Sequence, residues 1–334
     1  MFRTLKRLFV LTLALMPVSS GSRLAVEKIT PHDIHIRAIP LIEPKIELAP
    51  ELKFIRGWAL TSKDENFGGL SALLTDGMHF TSVSDSGLIV RWMMSASGSI
   101  SGARVDPLPK GCAADNFKTN RDSESITRDP VSGDYWIGLE WRNAICRTDA
   151  ILLNAKVVAN PLQMRRWERT TGPESMVRLA DGRFLVIEER PTDGKFSGPA
   201  LLFTGDPTLP GAKAQKLVYN LPADYFRPTD AAELPDGRLL IIHRNFKPPF
   251  RFRGKLAILD PVPARPVKPL KGRIIASFDE KGLTDNFEGV AISQTAGHTY
   301  VWIVSDDNYL WLQQTYLLQF ELLTPTSRRY TKSP

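Results

Sequence analysis

Short apolar runs recur along the chain in pairs, and each pair is bracketed by polar tags. The opening tags are Asn66-Phe67-Gly68-Gly69-Leu70, Ser123-Glu124-Ser125-Ile126, Pro173-Glu174-Ser175-Met176, Thr229-Asp230-Ala231-Ala232 and Asn286-Phe287-Glu288-Gly289-Val290. Taking 68, 124, 174, 230 and 288 as marker positions, the steps are 56, 50, 56 and 58 residues. A small turn follows each opening: Asp76-Gly77, Ser132-Gly133, Asp181-Gly182, Asp236-Gly237 or Ala296-Gly297. Next comes a strongly apolar run, such as Phe184-Leu185-Val186-Ile187 or Tyr300-Val301-Trp302-Ile303-Val304. It ends in Ser84-Asp85-Ser86, Leu139-Glu140-Trp141, Glu188-Glu189-Arg190, His243-Arg244-Asn245 or Ser305-Asp306-Asp307-Asn308.

Two apolar runs joined by a glycine turn predict a β-hairpin. Each unit has room for two further strands, and one four-stranded sheet cannot bury both faces alone, so the repeats predict the blades of a β-propeller. Helical signals are weak, and 25 prolines and 23 glycines fall mostly between apolar runs, which favours an all-β chain. Leu52–Leu60 reads as a strand near one end and Thr315–Leu322 as a strand near the other. A terminal strand is expected to complete the blade at the opposite terminus and so remove the open seam. Five repeats account for most of the chain. A sixth blade built from residues 33 to 60 and the C-terminal strand remains open, so the expectation is five or six four-stranded blades. The longest irregular insertions are read at 109–122, 191–198, 205–212 and 244–253.

Antiparallel pairing sets the start of the first strand beside the end of the second. Glu124 is therefore expected near Glu140, Glu174 near Glu188 or Glu189, and Glu288 near Asp306. If the opening strands are innermost, these acids meet on one face of the disc around the axis. That arrangement is costly unless a cation or bound protons compensate. The alternative is that acids at blade starts only accept backbone hydrogen bonds and fix the turns between blades.

The chain opens with Arg3, Lys6 and Arg7, an apolar run from Leu8 to Met16, and Val18-Ser19-Ser20, the pattern of a secretory signal peptide over residues 1–20. The run is shorter than the about 18 apolar residues a membrane span needs, although an uncleaved N-terminal anchor is the competing reading. No other stretch is a candidate span. Residues 21–50, with Pro31, Pro40, Pro44 and Pro50, read as an extended arm, and residues 51–334 as one domain. Export places the mature protein in the periplasm or outside the cell. The formal charge is +7, and because three of the basic residues and no acids lie in the leader, the mature excess falls to +4. So mild and dispersed an excess argues against a nucleic-acid partner. The chain is expected to act as a monomer on a small anionic or ester substrate.

Cys112 and Cys146 are the only cysteines. In an oxidising compartment they are expected to form a disulfide rather than a metal site, closing a loop worth roughly 3 to 4 kcal/mol. The competing state is two buried thiols. No Gly-x-Ser-x-Gly elbow, phosphate-cradling glycine loop or His-Glu-x-x-His helix occurs, and the five histidines are scattered. Carboxylates, Asn side chains and backbone carbonyls around a funnel suit a hard cation, and calcium is the expected one. Such an ion, with basic residues close by, suits binding of phosphate oxygens and polarising of water. Arg244–Arg253 alternates basic and aromatic residues, read either as an anion-binding lip or as a solvated loop folded over a neighbouring blade.

These residues resemble the phytase-like family of exported bacterial proteins, described by an esterase-like activity of phytase. The resemblance rests on Asp285–Ala291, on Ser305–Asn308 with Gln314-Thr315 and Leu317-Leu318, and on Phe67–Ser71 with Ser84–Gly87, and covers roughly residues 60 to 323. It implies a propeller and suggests hydrolysis of phosphate or other esters. Two departures stand out: Gly68 occupies the place of Glu288, and Arg244 the place of a closing acid. Neither the histidine-acid phytase signature nor a close copy of the calcium-dependent alkaline phytase motifs is present. On this reading the chain is an exported, metal-dependent hydrolase, with Glu124, Glu140, Glu174, Glu288 and Asp306 as metal ligands. Asp85, Glu189 and Asp230 serve as catalytic or water-orienting groups, and Arg190, Arg244 and Lys247 steer the anion. A non-catalytic propeller that binds a protein or glycan is the alternative, and a sugar-lactone hydrolase or quinone-linked dehydrogenase on a similar ring is a third.

Overall fold

The computed structural model describes residues 29–113, 117–190, 196–223, 225–248, 251–279 and 281–323. The proposed leader, residues 1–20, lies outside them. The described strands form five antiparallel sheets arranged as the blades of a ring. Blade 1 runs outward through Leu70–Thr75, His79–Ser84, Leu88–Met94 and Ile100–Pro107. Blade 2 uses Ser123–Arg128, Tyr135–Leu139, Ala144–Thr148 and Ala155–Ala159, and blade 3 uses Pro173–Arg178, Phe184–Glu188, Ser197–Phe203 and Ala214–Asn220. Blade 4 comprises Arg227–Glu233, Leu239–Lys247, Arg251–Leu259 and Arg273–Phe278. Each innermost strand packs against those of its two neighbours, and the last against the first.

Blade 5 closes the ring. Asn286–Thr295, His298–Asp306 and Thr315–Leu322 come from the C-terminal end, and Leu52–Ser62 pairs with the last of these from Leu60↔Thr315 to Leu52↔Leu322. Residues 33 to 60 therefore build no sixth blade. Pairing the two terminal strands gives the C-terminal sheet its fourth member and leaves no unpaired seam between first and last blades. The preceding segment is extended: Ile36–Pro40 adds a fifth strand to blade 5, while His32–Asp33 and Glu47–Leu48 pair at the outer edges of blades 1 and 4.

The strands are apolar throughout because both faces of every blade are covered. Along the second strand of blade 3, Phe184 and Val186 face the core shared with blade 2, and Leu185 and Ile187 face the core shared with blade 4. Leu239 and Ile241 of blade 4 likewise face blade 3, while Leu240 and Ile242 face blade 5. One such core fills each of the five interfaces. Aromatic rings bridge several of them, as where Phe80 of blade 1 meets Trp302 of blade 5 edge-on at 5.0 Å. Each such buried side chain contributes about 1.5 to 3 kcal/mol over the exposed state.

Cys112 and Cys146 are joined, with Cα atoms 5.5 Å apart, and both are fully buried. The bond ties the connection leaving blade 1 to the third strand of blade 2. The 244–253 segment is not an irregular insertion. Its alternation is strand periodicity, and the hairpin of blade 4 continues through Phe246↔Phe252 to Lys247↔Arg251, with the two phenylalanine rings 4.9 Å apart.

Candidate metal centre in the axial funnel

In all five blades the innermost strand slips by one residue against its partner close to its start. The skipped residues are Ser71, Glu124, Glu174, Thr229 and Glu288, between pairings such as Pro173↔Glu188 and Ser175↔Ile187. This is a β-bulge, which re-aims a side chain out of the regular alternation. The register also fixes the matching position on the second strand, one residue past the pair that flanks the bulge: Asp85, Glu140, Glu189, Arg244 and Asp306. Two markers in the sequence reading are thereby corrected. Ser71, not Gly68, is the counterpart of Glu288 in blade 1, and Thr229, not Asp230, is the counterpart in blade 4.

Side chains from all five blades meet. Glu174 of blade 3 feels Glu124 and Glu140 of blade 2 and Glu189 of its own blade, while Asp306 of blade 5 feels Asp85 of blade 1 and Glu288. Glu288 of blade 5 and Arg244 of blade 4 also feel Glu124 of blade 2, and such interaction between blades that are not neighbours places these groups at the axis. Glu124 and Glu140 come together as the hairpin geometry requires, and Asp122 joins them, one oxygen of each lying within 4.8 Å of the others. Glu174 turns to Glu189, whereas Glu188 turns away, accepting from Thr171 Oγ1 at 3.1 Å. Asp306 accepts from Asn286 Nδ2 at 3.3 Å and from the backbone N–H of Asn308 at 2.6 Å.

Three cations temper the acids. Arg244 donates from Nη2 to Glu189 at 2.9 Å, and its Nε lies 3.3 Å from Glu288. Arg227 lies 3.2 Å from the other Glu189 oxygen, and Lys118 Nζ 2.7 Å from Asp85. These face eight carboxyl groups: Asp85, Asp122, Glu124, Glu140, Glu174, Glu189, Glu288 and Asp306. Burial, followed by the neighbouring Glu140, pushes Asp122 up to about 8. Burial and then Glu124 and Glu189 take Glu140 to about 8. Glu288 also reaches about 8, burial outweighing the opposing effect of Arg244. Glu124 and Glu174 are raised well above the carboxylate range by burial and then by their acidic neighbours. Burial works against the charge of Lys118, but Asp85 and Asp122 outweigh it and raise its pKa.

Two carboxylate oxygens, Asp122 Oδ1 and Glu288 Oε2, are buried without a hydrogen-bond partner among the described residues. Buried acceptors of this kind are costly. A hard divalent cation satisfies them, and an all-oxygen set without imidazole or thiolate suits calcium or magnesium rather than zinc. The donor set fits such an ion best at Asp122, Glu124 and Glu140, with Glu174, Glu288 and Asp306 farther round the ring.

Asp230, read from sequence as catalytic, is a correction. It accepts backbone N–H groups from Ala231 at 2.8 Å, from Val290 of blade 5 at 2.9 Å and from Leu73 of blade 1 at 3.4 Å. It is an inter-blade staple, set one residue beyond the bulge. Arg190 is a second correction: it is exposed at the rim and pairs with Glu168 rather than with the ring. Lys247 is exposed and lines a 700 Å³ cavity with Glu189, Arg227, Arg244, Phe246 and Arg253, which opens onto the ring.

Sequence reasoning missed Asp122, Lys118 and Arg227. Asp122 stands two residues before Glu124, a spacing that was available as a signal. Lys118 sits in a single helical turn, Lys118–Arg121, inside a segment that reads as irregular. Close packing reinforces the site at Gly69, whose φ is +60°, because a Cβ there would lie 2.6 Å from Asp85 Oδ1 and 2.5 Å from the Tyr309 ring.

Among solved structures, the chain is similar at 11% identity to the nidogen/laminin complex, covering 80% of this chain and 95% of that one with a TM-score of 0.41. It is similar at 12% identity to the N-terminal domain of Nup159, covering 84% and 98% with a TM-score of 0.36. It is also similar at 11% to the hydrazine synthase of Kuenenia stuttgartiensis, covering 74% and 80% with a TM-score of 0.36. No curated protein matches it. A family model matches residues 65–309, most of the propeller, and on that match the chain belongs to the phytase-like family, described as having the esterase-like activity of phytase.

Proposed function

We propose that the axial funnel holds a calcium ion and that the protein is an exported hydrolase of phosphate or related esters, made as residues 1–20 leader, 21–50 arm and 51–334 propeller and working as a monomer. The observation that carries the reading is the close triplet of buried Asp122 with half-buried Glu124 and Glu140, with unpartnered oxygen at Asp122. Like charges so close in a buried site are stable only with a cation or shared protons. Family membership supports the ester class of substrate. No helix of the described residues is long and apolar enough to cross a membrane, and the Cys112–Cys146 bond suits an oxidising compartment.

Asp122, Glu124 and Glu140 would hold the ion, with Glu174, Glu288 and Asp306 close to it. Bound there, calcium would supply a positive centre for phosphoryl or carbonyl oxygens and lower the pKa of water. Arg244 and Arg227 both ion-pair with Glu189 at the mouth, where it suits orienting a water molecule or taking its proton. Lys118 pairs with Asp85 in the same way. Lys247 and Arg253 line the approach and favour an anionic substrate. A panel of chromogenic phosphate and carboxylic esters, assayed with calcium and with chelator, tests the reading. Turnover that needs calcium and is lost in Glu124→Gln is expected. Calcium-loaded protein with no turnover on any ester would overturn the hydrolase assignment.

A further inference from the structure

A second cavity, of 920 Å³, opens on the blade 2 and blade 3 side, and no Asp or Glu among the described residues lines it. Arg142, Arg165 and Arg169 line it together with Trp141, Trp167 and Asn160. Such a lining is unusual beside a cluster of eight acids, and it does not belong to the funnel mouth described above. Two of its basic groups, Arg142 and Arg165, are held in place. Asn160 Nδ2 donates to the carbonyls of Arg142 and Asn143, at 2.7 Å each, and Asn160 Oδ1 accepts from Arg165 Nε at 2.9 Å. Arg142 donates to the Cys112 carbonyl at 2.7 Å, so one wall is fixed to the disulfide-tethered segment. Trp141 is fixed in turn, its Nε1 donating to Asp122 at 2.8 Å. These bonds use Nε of Arg165 and one terminal nitrogen of Arg142. The outer nitrogens of Arg165 remain for a ligand, and Arg169 makes no ion pair among the described residues.

We propose that this cavity binds a phosphorylated organic molecule, the oxyanion on Arg165 and Arg169 and an apolar or planar body against Trp141. Guanidinium groups match phosphate oxygens with paired donors, and a fixed indole face adds a platform beside them. Arg165, already held by Asn160, loses less freedom on binding, which favours affinity. The site is distinct from the cation centre, and its ligand contacts need no metal. It lies one residue from that centre, through the Trp141–Asp122 bond.

The test uses the full mature protein in excess chelator, so that failure of the cation reading does not bear on it. Benzenephosphonate, which cannot be hydrolysed as an ester, is titrated by calorimetry and by tryptophan fluorescence. One saturable site with a fluorescence change is expected. The exposed pair Arg165→Ala and Arg169→Ala should weaken it about tenfold or more, as loss of charge-assisted contacts does. Lys247→Ala at the other cavity should leave it unchanged. Absence of saturable binding, loss in Lys247→Ala with the double variant unaffected, or equal affinity for inorganic phosphate would each overturn the proposal.

Discussion

Arg244 Nη2 lies 2.9 Å from Glu189 Oε1, an ion pair in which only 4% of the carboxylate side chain remains exposed. In four blades an acid holds this position on the second strand, and in blade 4 this guanidinium holds it. Arg244 is thus a built-in cation among acids, with Glu288 on its other side. Its own charge is favoured, the acids outweighing the burial that opposes it. Removing one partner of a buried pair strands the other, at about 3 to 5 kcal/mol. Arg244→Gln should lower the stability of the calcium-free protein by about that amount, and added calcium should recover part of it. Chemical denaturation with calcium and with chelator measures both, and an unchanged midpoint in chelator would show the pair to be energetically idle.

Asp230 is expected to matter for the ring and not for the ion. Its carboxylate binds N–H groups from blades 1, 4 and 5, so Asp230→Asn sets an amide NH₂ against donors. A loss of about 2 to 3 kcal/mol follows from such mismatched hydrogen bonds, with calcium affinity unchanged. Denaturation and calcium titration of the same variant separate the two roles. Lost calcium binding at undiminished stability would place Asp230 in the metal centre after all.

Glu188 and Glu189 are adjacent yet opposite in environment. Glu189 is held by two arginines, while burial pushes Glu188 up to about 7, only partly opposed by the Thr171 hydroxyl. A folded-state pKa raised above its unfolded value stabilises at low pH, and that stability is lost as pH rises through the folded value. Glu188→Gln should therefore match the wild type near pH 4 and exceed it above pH 7, by up to about 3 kcal/mol. Thermal melting across that range checks the sign. A variant less stable than wild type at pH 8 would contradict it.

The propeller and the convergence of acids were legible because both follow from periodicity. Apolar runs such as Phe184–Ile187 must be covered on both faces, and hairpins must bring Glu124 to Glu140. The bulge was not legible. A one-residue slip at Glu174 or Thr229 leaves no mark in composition, so a count by tag placed Asp230 in the ring in place of Thr229. Nor did tag matching distinguish Gly68 from Ser71, three residues on. Five blades rather than six depended on which strand Leu52–Ser62 joins, and that long-range pairing has no local signature. Lys118 escaped notice because a single turn of helix has no period to read.

The Cys112–Cys146 bond closes a 34-residue separation and fixes the segment that carries Lys118 to blade 2. Its removal in the Cys112→Ala, Cys146→Ala double variant should cost about 3 to 4 kcal/mol. The oxidised protein, denatured without reductant, should show no reactive thiol. Two titratable thiols per chain in that experiment would contradict the pairing.

Calorimetric titration of calcium into chelator-stripped protein tests the central claim most directly. The close triplet of Asp122, Glu124 and Glu140 predicts a saturable site that weakens sharply in Glu124→Gln, since a hard cation depends on that charge. It also predicts proton release on binding at pH 7, because Asp122 and Glu140, raised to about 8 by burial and by acidic neighbours, lose protons to solvent as the ion binds. Saturable heat with proton release, lost in the variant, is the expected result. No binding heat at millimolar calcium, or binding indifferent to Glu124→Gln, would contradict the account.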